Sequence, residues 1–186
     1  MNTNVEGKMQ VTVSRPAASE FAPYYGTYVN AMPDGDIVQA LAAQGEETFD
    51  LLSGLSEEHG TFRYAPEKWS IRDLVQHLCD SERIFAYRAL RFARGDRTPL
   101  PGFDQEPYAA TAQADRRPLT ELAAEFRDIR RTTLALVRSF DAEMLGRSGT
   151  ASGTLMSVRA LVWVIAGHER HHLRVLRERY LAALAR

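Results

Sequence analysis

The sequence predicts an all-α protein built as an antiparallel four-helix bundle. Four stretches carry apolar residues at spacings of three and four, turn-forming residues separate them, and no stretch alternates as a strand of a sheet does. The chain has 186 residues, 45% of them hydrophobic and 25% charged, which is ordinary for one globular domain. We expect one bundle domain over residues 34–186, preceded by an irregular N-terminal arm over residues 1–33.

The arm and the first helix have the weakest patterns. Residues 1–33 are rich in Pro, Tyr, Ala and Ser without a sustained period, and their aromatic side chains are expected to dock on the bundle. These aromatics are Phe21, Tyr24, Tyr25 and Tyr28. From Asp34 to about Leu55 the apolar residues fit a helix only loosely, because Gly45 interrupts the pattern.

The second helix has the clearest start, in the segment KWSIRDLVQHLCDSERIFAYRALRFARGD. Ser70 is placed as an N-cap and Asp73 follows three residues later, which is a variant of the capping box. Apolar residues then recur at helical spacing until Gly95, where the helix is predicted to end. The buried stripe consists of Ile71, Leu74, Leu78, Phe85, Ala89 and Phe92.

A long connection, DRTPLPGFDQEPYAATAQADRR, separates the second helix from the third. A loop of this length in a compact domain is usually functional or mobile, so this loop is a candidate lid over a site. The third helix is predicted to open at Pro118 and to continue to a break near Gly146. After the Gly/Ser-rich turn GRSGTASGT, Ser157 can cap the fourth helix.

Charge and cysteine content restrict the classes of partner. The 23 basic and 24 acidic residues nearly cancel, so nothing supplies the positive field that nucleic acid or an anionic membrane surface requires. The single cysteine, Cys79, can form neither an internal disulfide nor a Cys-based zinc knuckle. The N-terminus lacks the apolar core of a signal peptide, and no apolar run approaches the ~20 residues of a membrane span. We expect a cytoplasmic protein without a nucleic-acid or membrane partner.

The fourth helix contains H-E-x-x-H, with His168 and His172 as its histidines and Glu169 between them. In a metalloprotease of this type the third ligand follows ten residues after the first histidine, on a chain that has turned back. Here Glu178 occupies that position and the segment HLRVLRERYLAAL is predicted to continue as helix, which would carry Glu178 away from the ion. The metalloprotease interpretation is therefore rejected.

His168 and His172 can still share one ion, because residues four apart lie side by side on a helix. The third ligand must then come from His59 or His77, and His77 is favoured because it lies beside the apolar stripe of the second helix. Three imidazoles that leave one position open are typical of a catalytic site.

Each histidine also has a structural interpretation without a metal. A single buried histidine is usually a hydrogen-bonded polar core residue, but two in one seam would repel each other if protonated, which favours a shared ion. His171 is rotated off the seam and is expected at the edge or surface. Glu169 is interpreted as a solvated helix residue rather than a catalytic base.

Several of these segments together resemble the DinB-like superfamily, in particular its small free-standing members, from about Arg15 to Tyr180. The resemblance rests on a tryptophan-serine helix start with a histidine seven residues after the serine, joined to a late H-x-x-x-H. It implies an antiparallel four-helix bundle, often a homodimer, with one divalent metal held by His77, His168 and His172. The matching segments are YAPEKWSIRDLVQHLCDSERIFAYRALRFARGD, TPLPGFDQEPY and SVRALVWVIAGHERHHLRVLRERY.

The resemblance also implies possible activities, since characterised members include transferases and isomerases that use low-molecular-weight thiols. We expect a metal-dependent enzyme that activates a thiol cofactor or water against a small electrophile, as a thiol S-transferase or as a hydrolase. The alternative is a non-catalytic, metal-stabilised binding or stress-response module. Zinc or nickel is favoured, and iron, manganese or copper are alternatives.

Two further residues are candidates for the chemistry on weaker grounds. Asp104 lies in the long loop and could carry a proton if the loop closes over the metal. Arg88 shares the helix face of His77 and could bind an anionic group of a small-molecule substrate, although pairing with a carboxylate at the edge of the core is the favoured interpretation. A homodimer is expected from the family and from surplus apolar surface that includes Trp163 and Val164.

Overall fold

The computed structural model describes residues 12–185, and four long helices dominate it. Short 3-10 turns occupy the links, and a π-helical segment, Leu176–Leu181, extends the last long helix. The helices and strands are α1 (Gly26–Ala31), α2 (Ile37–Ser53), α3 (Ile71–Ala93), α4 (Gln105–Ala112), α5 (Leu119–Arg138), α6 (Ala142–Gly146), β1 (Ser148–Ala151), β2 (Thr154–Ser157), α7 (Val158–Val175) and α8 (Ala182–Leu184). The predicted fold class, a helical bundle, is confirmed.

Capping side chains begin the two helices that carry the histidines. The Ser70 hydroxyl accepts from the Asp73 N–H at 3.0 Å, and the Asp73 carboxylate accepts from the Ser70 N–H at 3.0 Å. Ser157 accepts from the Ala160 N–H at the start of α7. Both predicted caps are therefore present, and such a cap contributes about 1 kcal/mol to the free energy of unfolding.

The four long helices run in an up-down-down-up order. Gln76 contacts Arg117 and Arg83 contacts Glu125, so sequence numbers rise together along α3 and α5 and these helices run in the same direction. The pair α3 and α7 is antiparallel, as is the pair α2 and α5. A parallel α3 and α5 requires a connection that returns along the length of α3, which has 23 residues and spans roughly 35 Å.

A polar layer divides the apolar core into two clusters. One cluster includes the second half of α3 and the first half of α7, and the other includes the first half of α3 and the residues after Leu173. Each of the four long helices contributes buried polar residues to the layer between the clusters. These residues are Gln44, Thr48, His77, Ser81, Glu82, Arg130, Thr133, His168 and Glu169.

The loop predictions need two corrections. The connection between α3 and α5 is not an irregular loop, since it contains α4 and a 3-10 turn at Ala114–Arg116. The Gly/Ser-rich turn before α7 is a β-hairpin, with Ser152 and Gly153 at its tip at φ 53° and 76°, as a two-residue type I′ turn requires. Its strands have four residues each, too few to reveal an alternating pattern. The hairpin also holds the connection, because Leu100 pairs with Ala151.

Residues 12–33 of the predicted arm pack on the bundle, whereas its first eleven residues lie outside the described part of the chain. The helix α1 lies against α7, and Phe21, Tyr25 and Tyr28 pack on the core, but Tyr24 is 67% exposed. Trp163 donates to the Val13 carbonyl oxygen at 3.3 Å. This packing buries Trp163 and Val164 within the chain, which removes the apolar surface that suggested a dimer.

No helix among the described residues is both long enough and apolar enough to cross a membrane.

Candidate metal centre

Three histidines from two helices converge in the polar layer. Ligand nitrogens of His77 on α3 and of His168 and His172 on α7 all lie within 4.8 Å of one another. The Nε2 atoms of His77 and His168 are 3.1 Å apart. A tetrahedral ion with nitrogen ligands at about 2.0–2.1 Å places those nitrogens roughly 3.3 Å apart, so the cluster has the dimensions of a metal site.

Burial keeps the three imidazoles neutral. His77 and His168 are each 6% exposed, and His172 is partly buried. Desolvation lowers the pKa of His77 to about 4. Desolvation also lowers the pKa of His168 and of His172 well below the ordinary value, and a charge on a neighbouring imidazole would lower both further. Neutral imidazoles have a free lone pair, which is the form that binds a metal.

Neighbouring side chains orient His77. The Ser81 hydroxyl lies one helical turn away, 3.4 Å from Nδ1 and 3.5 Å from Nε2 of His77, so it packs against the ring. Nε2 of His77 faces His168, and binding of a metal through this atom requires the proton to be on Nδ1. The Trp69 ring, just before the α3 cap, packs against the His77 ring with centroids 4.7 Å apart.

Glu169 is turned away from the histidines, into a buried ion-pair network. Its carboxylate accepts from Arg130 at 2.7 Å, and Arg130 also bonds Glu82 at 2.6 Å. Gln44 and Thr48 donate to the remaining positions of Glu169. The prediction of a solvated Glu169 is wrong, since the residue is 1% exposed. The rejection of Glu169 as a protease-type base agrees with this geometry, because its oxygens bind Arg130, Gln44 and Thr48.

The other histidines do not join the cluster. The His171 ring packs edge-on to Tyr28 at 5.8 Å and to His172 at 5.0 Å between ring centroids, and no ligand nitrogen of His171 belongs to the group. Nδ1 of His59 accepts from the Ser56 N–H at 3.4 Å in a 3-10 turn. Glu178, the metalloprotease ligand position, lies exposed in the π-helical segment.

A cavity of about 350 Å³ opens beside the cluster and is lined by His77 and His168. Its walls are mostly aromatic, and the polar groups among them belong to α3, to the connection before α4 and to the hairpin tip. Two larger grooves, of about 740 and 810 Å³, contain none of the three clustered histidines. The remaining lining residues are Tyr24, Tyr25, Tyr28, Ser81, Phe85, Phe103, Asp104, Gln105 and Ser152.

The two weaker candidates have different positions at this cavity. Asp104 lines it, is exposed, and caps α4 by accepting from the Glu106 N–H at 3.1 Å. Arg88 is 2% exposed and donates to the Pro101 oxygen and the Ser152 hydroxyl. Within residues 12–185 no carboxylate pairs with Arg88, so the predicted pairing with a core-edge carboxylate is wrong.

Sequence reasoning missed the ion-pair network and the contribution of the arm. Glu82 lies four residues after Leu78 and Arg130 four residues after Phe126, so both continue buried stripes. A charged residue within an apolar stripe was the available signal. The aromatic content of the arm predicted that Tyr28 docks on the bundle, but nothing placed its ring 5.2 Å from that of His168, because the arm has no period.

Comparison with known proteins agrees with the helical-bundle fold. A model of the DinB superfamily matches residues 40–176. The chain belongs to the DinB superfamily. A curated relative from Oceanobacillus iheyensis, "Putative metal-dependent hydrolase OB0413", is 30% identical over 127 residues, which is 67% of this chain and 72% of the relative.

Several solved structures share this fold. YfiT from Bacillus subtilis, described as "a probable metal-dependent hydrolase with an unusual four-helix bundle topology", superposes with a TM-score of 0.65 at 14% identity over 88% of this chain and 89% of its own. The B. subtilis DinB-like protein YjoA superposes with a TM-score of 0.59 at 24% identity, over 82% of this chain and 93% of YjoA. A mycothiol-dependent maleylpyruvate isomerase superposes with a TM-score of 0.63 at 13% identity, over 78% of this chain and 61% of the isomerase.

Proposed function

We propose that His77, His168 and His172 bind one divalent transition metal, and that the protein is an enzyme that activates a thiol or water against a small electrophile. The observation that carries this proposal is the position of three neutral imidazoles beside a cavity of about 350 Å³. Among the described residues no fourth His, Cys, Asp or Glu joins the group, so one coordination position is left for a small molecule.

The donor set fits a borderline metal such as zinc or nickel, and iron, manganese or copper are alternatives. When bound, a metal with three imidazole ligands lowers the pKa of a thiol or water in its open position, which makes either a nucleophile at neutral pH. Ser81 lies against the His77 ring, 3.4 Å from Nδ1 and 3.5 Å from Nε2, and restricts the orientation of this ring. Tyr28 packs edge-on to His168 and restricts water on that side.

The cavity supplies the remaining functions. Its aromatic walls suit an apolar or aromatic electrophile, which they would hold by burial of apolar surface. Asp104 lies at the same cavity and is exposed, so its carboxylate can take up the proton that the nucleophile loses. Gln105 and Ser81 add neutral polar groups that can orient a ligand.

Thiol S-transfer and hydrolysis are the two reactions we consider, and different comparisons support each. The names of OB0413 and YfiT refer to a metal-dependent hydrolase. A neighbour that uses mycothiol supports a low-molecular-weight thiol as the nucleophile. We place thiol S-transfer first, because the aromatic cavity suits an electrophile that carries a ring. A non-catalytic, metal-stabilised module is the alternative, but a cavity at the cluster disfavours it.

The experiment starts from protein purified without a nickel column, with metal content measured by mass spectrometry. Zinc-loaded and nickel-loaded protein is then assayed with a thiol and monobromobimane, and in parallel with p-nitrophenyl esters and no thiol. Turnover that requires the thiol supports S-transfer, and ester cleavage without thiol supports hydrolysis. His172→Ala should lose either activity and His171→Ala should retain it. One metal per chain with no activity in either assay would favour the non-catalytic module.

The proposal also includes the oligomeric state and the subcellular localisation. We propose a cytoplasmic homodimer on the expectation of the family, with a small molecule rather than nucleic acid or membrane as the ligand. Light scattering at micromolar concentration tests the dimer, and a monomer mass would contradict it without affecting the metal site.

A further inference from the structure

Arg88 is a buried cation without a counter-charge among residues 12–185. Its side chain is 2% exposed, its Nη2 donates to the Pro101 carbonyl oxygen at 3.0 Å and to the Ser152 hydroxyl at 3.1 Å, and its Nη1 is buried with no partner. A guanidinium stays charged at all relevant pH values. A buried charge is disfavoured unless an opposite charge or a full set of hydrogen bonds compensates it, and Arg88 has neither.

Arg130 is a second buried guanidinium, and here the core compensates the charge. It is 3% exposed, and it bonds two carboxylates, Glu82 and Glu169, together with the Leu41 carbonyl oxygen. Within residues 12–185 Arg88 has only neutral acceptors. The core thus pairs one arginine fully and leaves the other, among the described residues, without a carboxylate, so Arg88 can accept an anion.

Arg88 lies behind the wall of the cavity beside the histidines, in contact with two of the residues that line it. Ser152 and Phe103 both line that cavity, and the Arg88 Cζ lies 6.0 Å from the centroid of the Phe103 ring. Ser152 has a left-handed backbone, φ 53°, which is unusual for a residue with a β-carbon and occurs where surrounding structure enforces it. The hairpin turn thereby holds the Ser152 hydroxyl between Arg88 and the cavity.

We propose that Arg88 and Ser152 form an anion subsite that binds a carboxylate of the small-molecule ligand, at the end of the cavity away from the histidines. This inference rests on the proposed function, because it treats the cavity as the ligand site. A carboxylate would bind the unpartnered Nη1 and compete with the neutral acceptors of Nη2, since an ion pair with two parallel hydrogen bonds is stronger than a hydrogen bond from the guanidinium to a neutral oxygen. The Ser152 hydroxyl, no longer an acceptor for Arg88, would then donate to the anion.

The subsite also sets the length and direction of the ligand. Arg88 lies eleven residues after His77 on the same face of α3, so the two Cα atoms are roughly 16 Å apart along the axis. Asp104 is exposed on the same cavity and repels an anion there. We infer an elongated ligand with its carboxylate toward Arg88 and its reacting atom toward the histidines.

The test measures binding rather than activity, with 3-phenylpropionate and its neutral analogue 3-phenylpropanamide as probes. Each is titrated into metal-free and zinc-loaded protein by calorimetry. We expect the carboxylate to bind at least about 10-fold tighter than the amide in both forms, because the subsite does not involve the metal. Arg88→Met should abolish the preference. Arg83→Met, the loss of a half-exposed arginine on the same helix outside the cavity, should retain it.

Equal affinity of metal-free wild-type protein for acid and amide would overturn the proposal. A preference that appears only with zinc and survives in Arg88→Met would also overturn it, since the carboxylate would then bind the metal. If Arg88→Met does not fold, Ser152→Ala and Arg88→Lys replace it, and both should weaken the preference by several-fold. Failure to bind zinc would contradict the proposed function but leaves the metal-free comparison intact.

The carboxylate could belong to the thiol or to the electrophile, and a second pair of probes distinguishes these sources. N-acetylcysteine and N-acetylcysteine amide are titrated into the zinc-loaded protein. A preference for the acid that Arg88→Met removes would assign the carboxylate to the thiol. Equal affinity, together with a retained preference for 3-phenylpropionate over its amide, would assign it to the electrophile.

Discussion

The Nε2 atoms of His77 and His168 lie 3.1 Å apart, although 91 residues separate the two histidines in the sequence. A proton on either imidazole would place a charge in a desolvated site beside another ring, and the pKa of both is lowered, chiefly by burial. The pair is therefore stable only while neutral or when it shares a cation. This relationship makes the stability of the metal-free protein depend on pH.

We predict that metal-free protein loses stability as the pH falls below about 6.5. The pKa of His77 is about 4 in the folded state, against about 6.5 for an exposed histidine, so the unfolded chain takes up the proton first. The contribution of neutral His77 to the free energy of unfolding is fully present above the pKa of the unfolded chain, and it is lost as the pH falls toward 4. It amounts to about 3 kcal/mol in all and to roughly 1 kcal/mol between pH 7.5 and 5.5.

Urea unfolding of the chelator-treated protein at several pH values measures this effect. His77→Asn removes one titrating group and should make the dependence less steep, with His168 and His172 contributing the rest. Zinc loading should raise stability most at neutral pH, where protons do not compete. An equal free energy of unfolding at pH 7.5 and 5.5 would contradict the neutral state of the cluster.

His172→Ala should weaken metal binding by more than about 100-fold, whereas His171→Ala should leave the stoichiometry at one. The reason is geometric, since a ligand nitrogen of His172 lies in the cluster and none of His171 does. Metal competition with a coloured chelator gives both affinities. If His171→Ala loses the metal and His172→Ala retains it, the ligands on α7 are His168 and His171, which are three residues apart rather than four.

Arg130→Met should lower the free energy of unfolding by about 3–5 kcal/mol, because it leaves two buried carboxylates unpaired. Arg130 is 3% exposed and bonds both Glu82 and Glu169. The adjacent Arg131→Met is the matched control, since its side chain is 73% exposed and its loss should change stability by less than about 0.5 kcal/mol. Similar denaturation midpoints for the two variants would mean that the network contributes nothing to stability.

Gly167→Ala should destabilise the protein by about 3 kcal/mol or more and release α1 from α7. A β-carbon at this position would lie 2.0 Å from the backbone oxygen of Tyr28, and backbone cannot rotate away as a side chain can. The gain in helix propensity of about 1 kcal/mol is too small to offset this clash. Thermal unfolding and limited proteolysis within residues 26–31 measure the two effects.

Gly146→Ala is the control for that substitution, because nothing lies within 4 Å of its β-carbon position. It should change stability by no more than about 0.5 kcal/mol and leave the N-terminal segment protected. If Gly167→Ala is cleaved no faster than the wild-type protein, α1 accommodates the added methyl group without leaving α7.

The sequence by itself determined the helices, their caps and the spacing of the histidine pair. These features depend on neighbours within about four residues, which is the range of helical hydrogen bonds and of the capping box. The predicted starts at Ser70 and Ser157 are therefore present in the structure. The spacing of His168 and His172 placed both on one face before any tertiary contact was known.

Only the tertiary structure decided the partners of these side chains. It placed His77 rather than His59 beside the pair on α7, turned Glu169 toward Arg130, and left Arg88 without a carboxylate. It also formed a hairpin from strands too short to show a period. Contacts between residues 39 to 150 positions apart depend on how helices pack and in which direction they run, and hydrophobic periodicity does not encode that register.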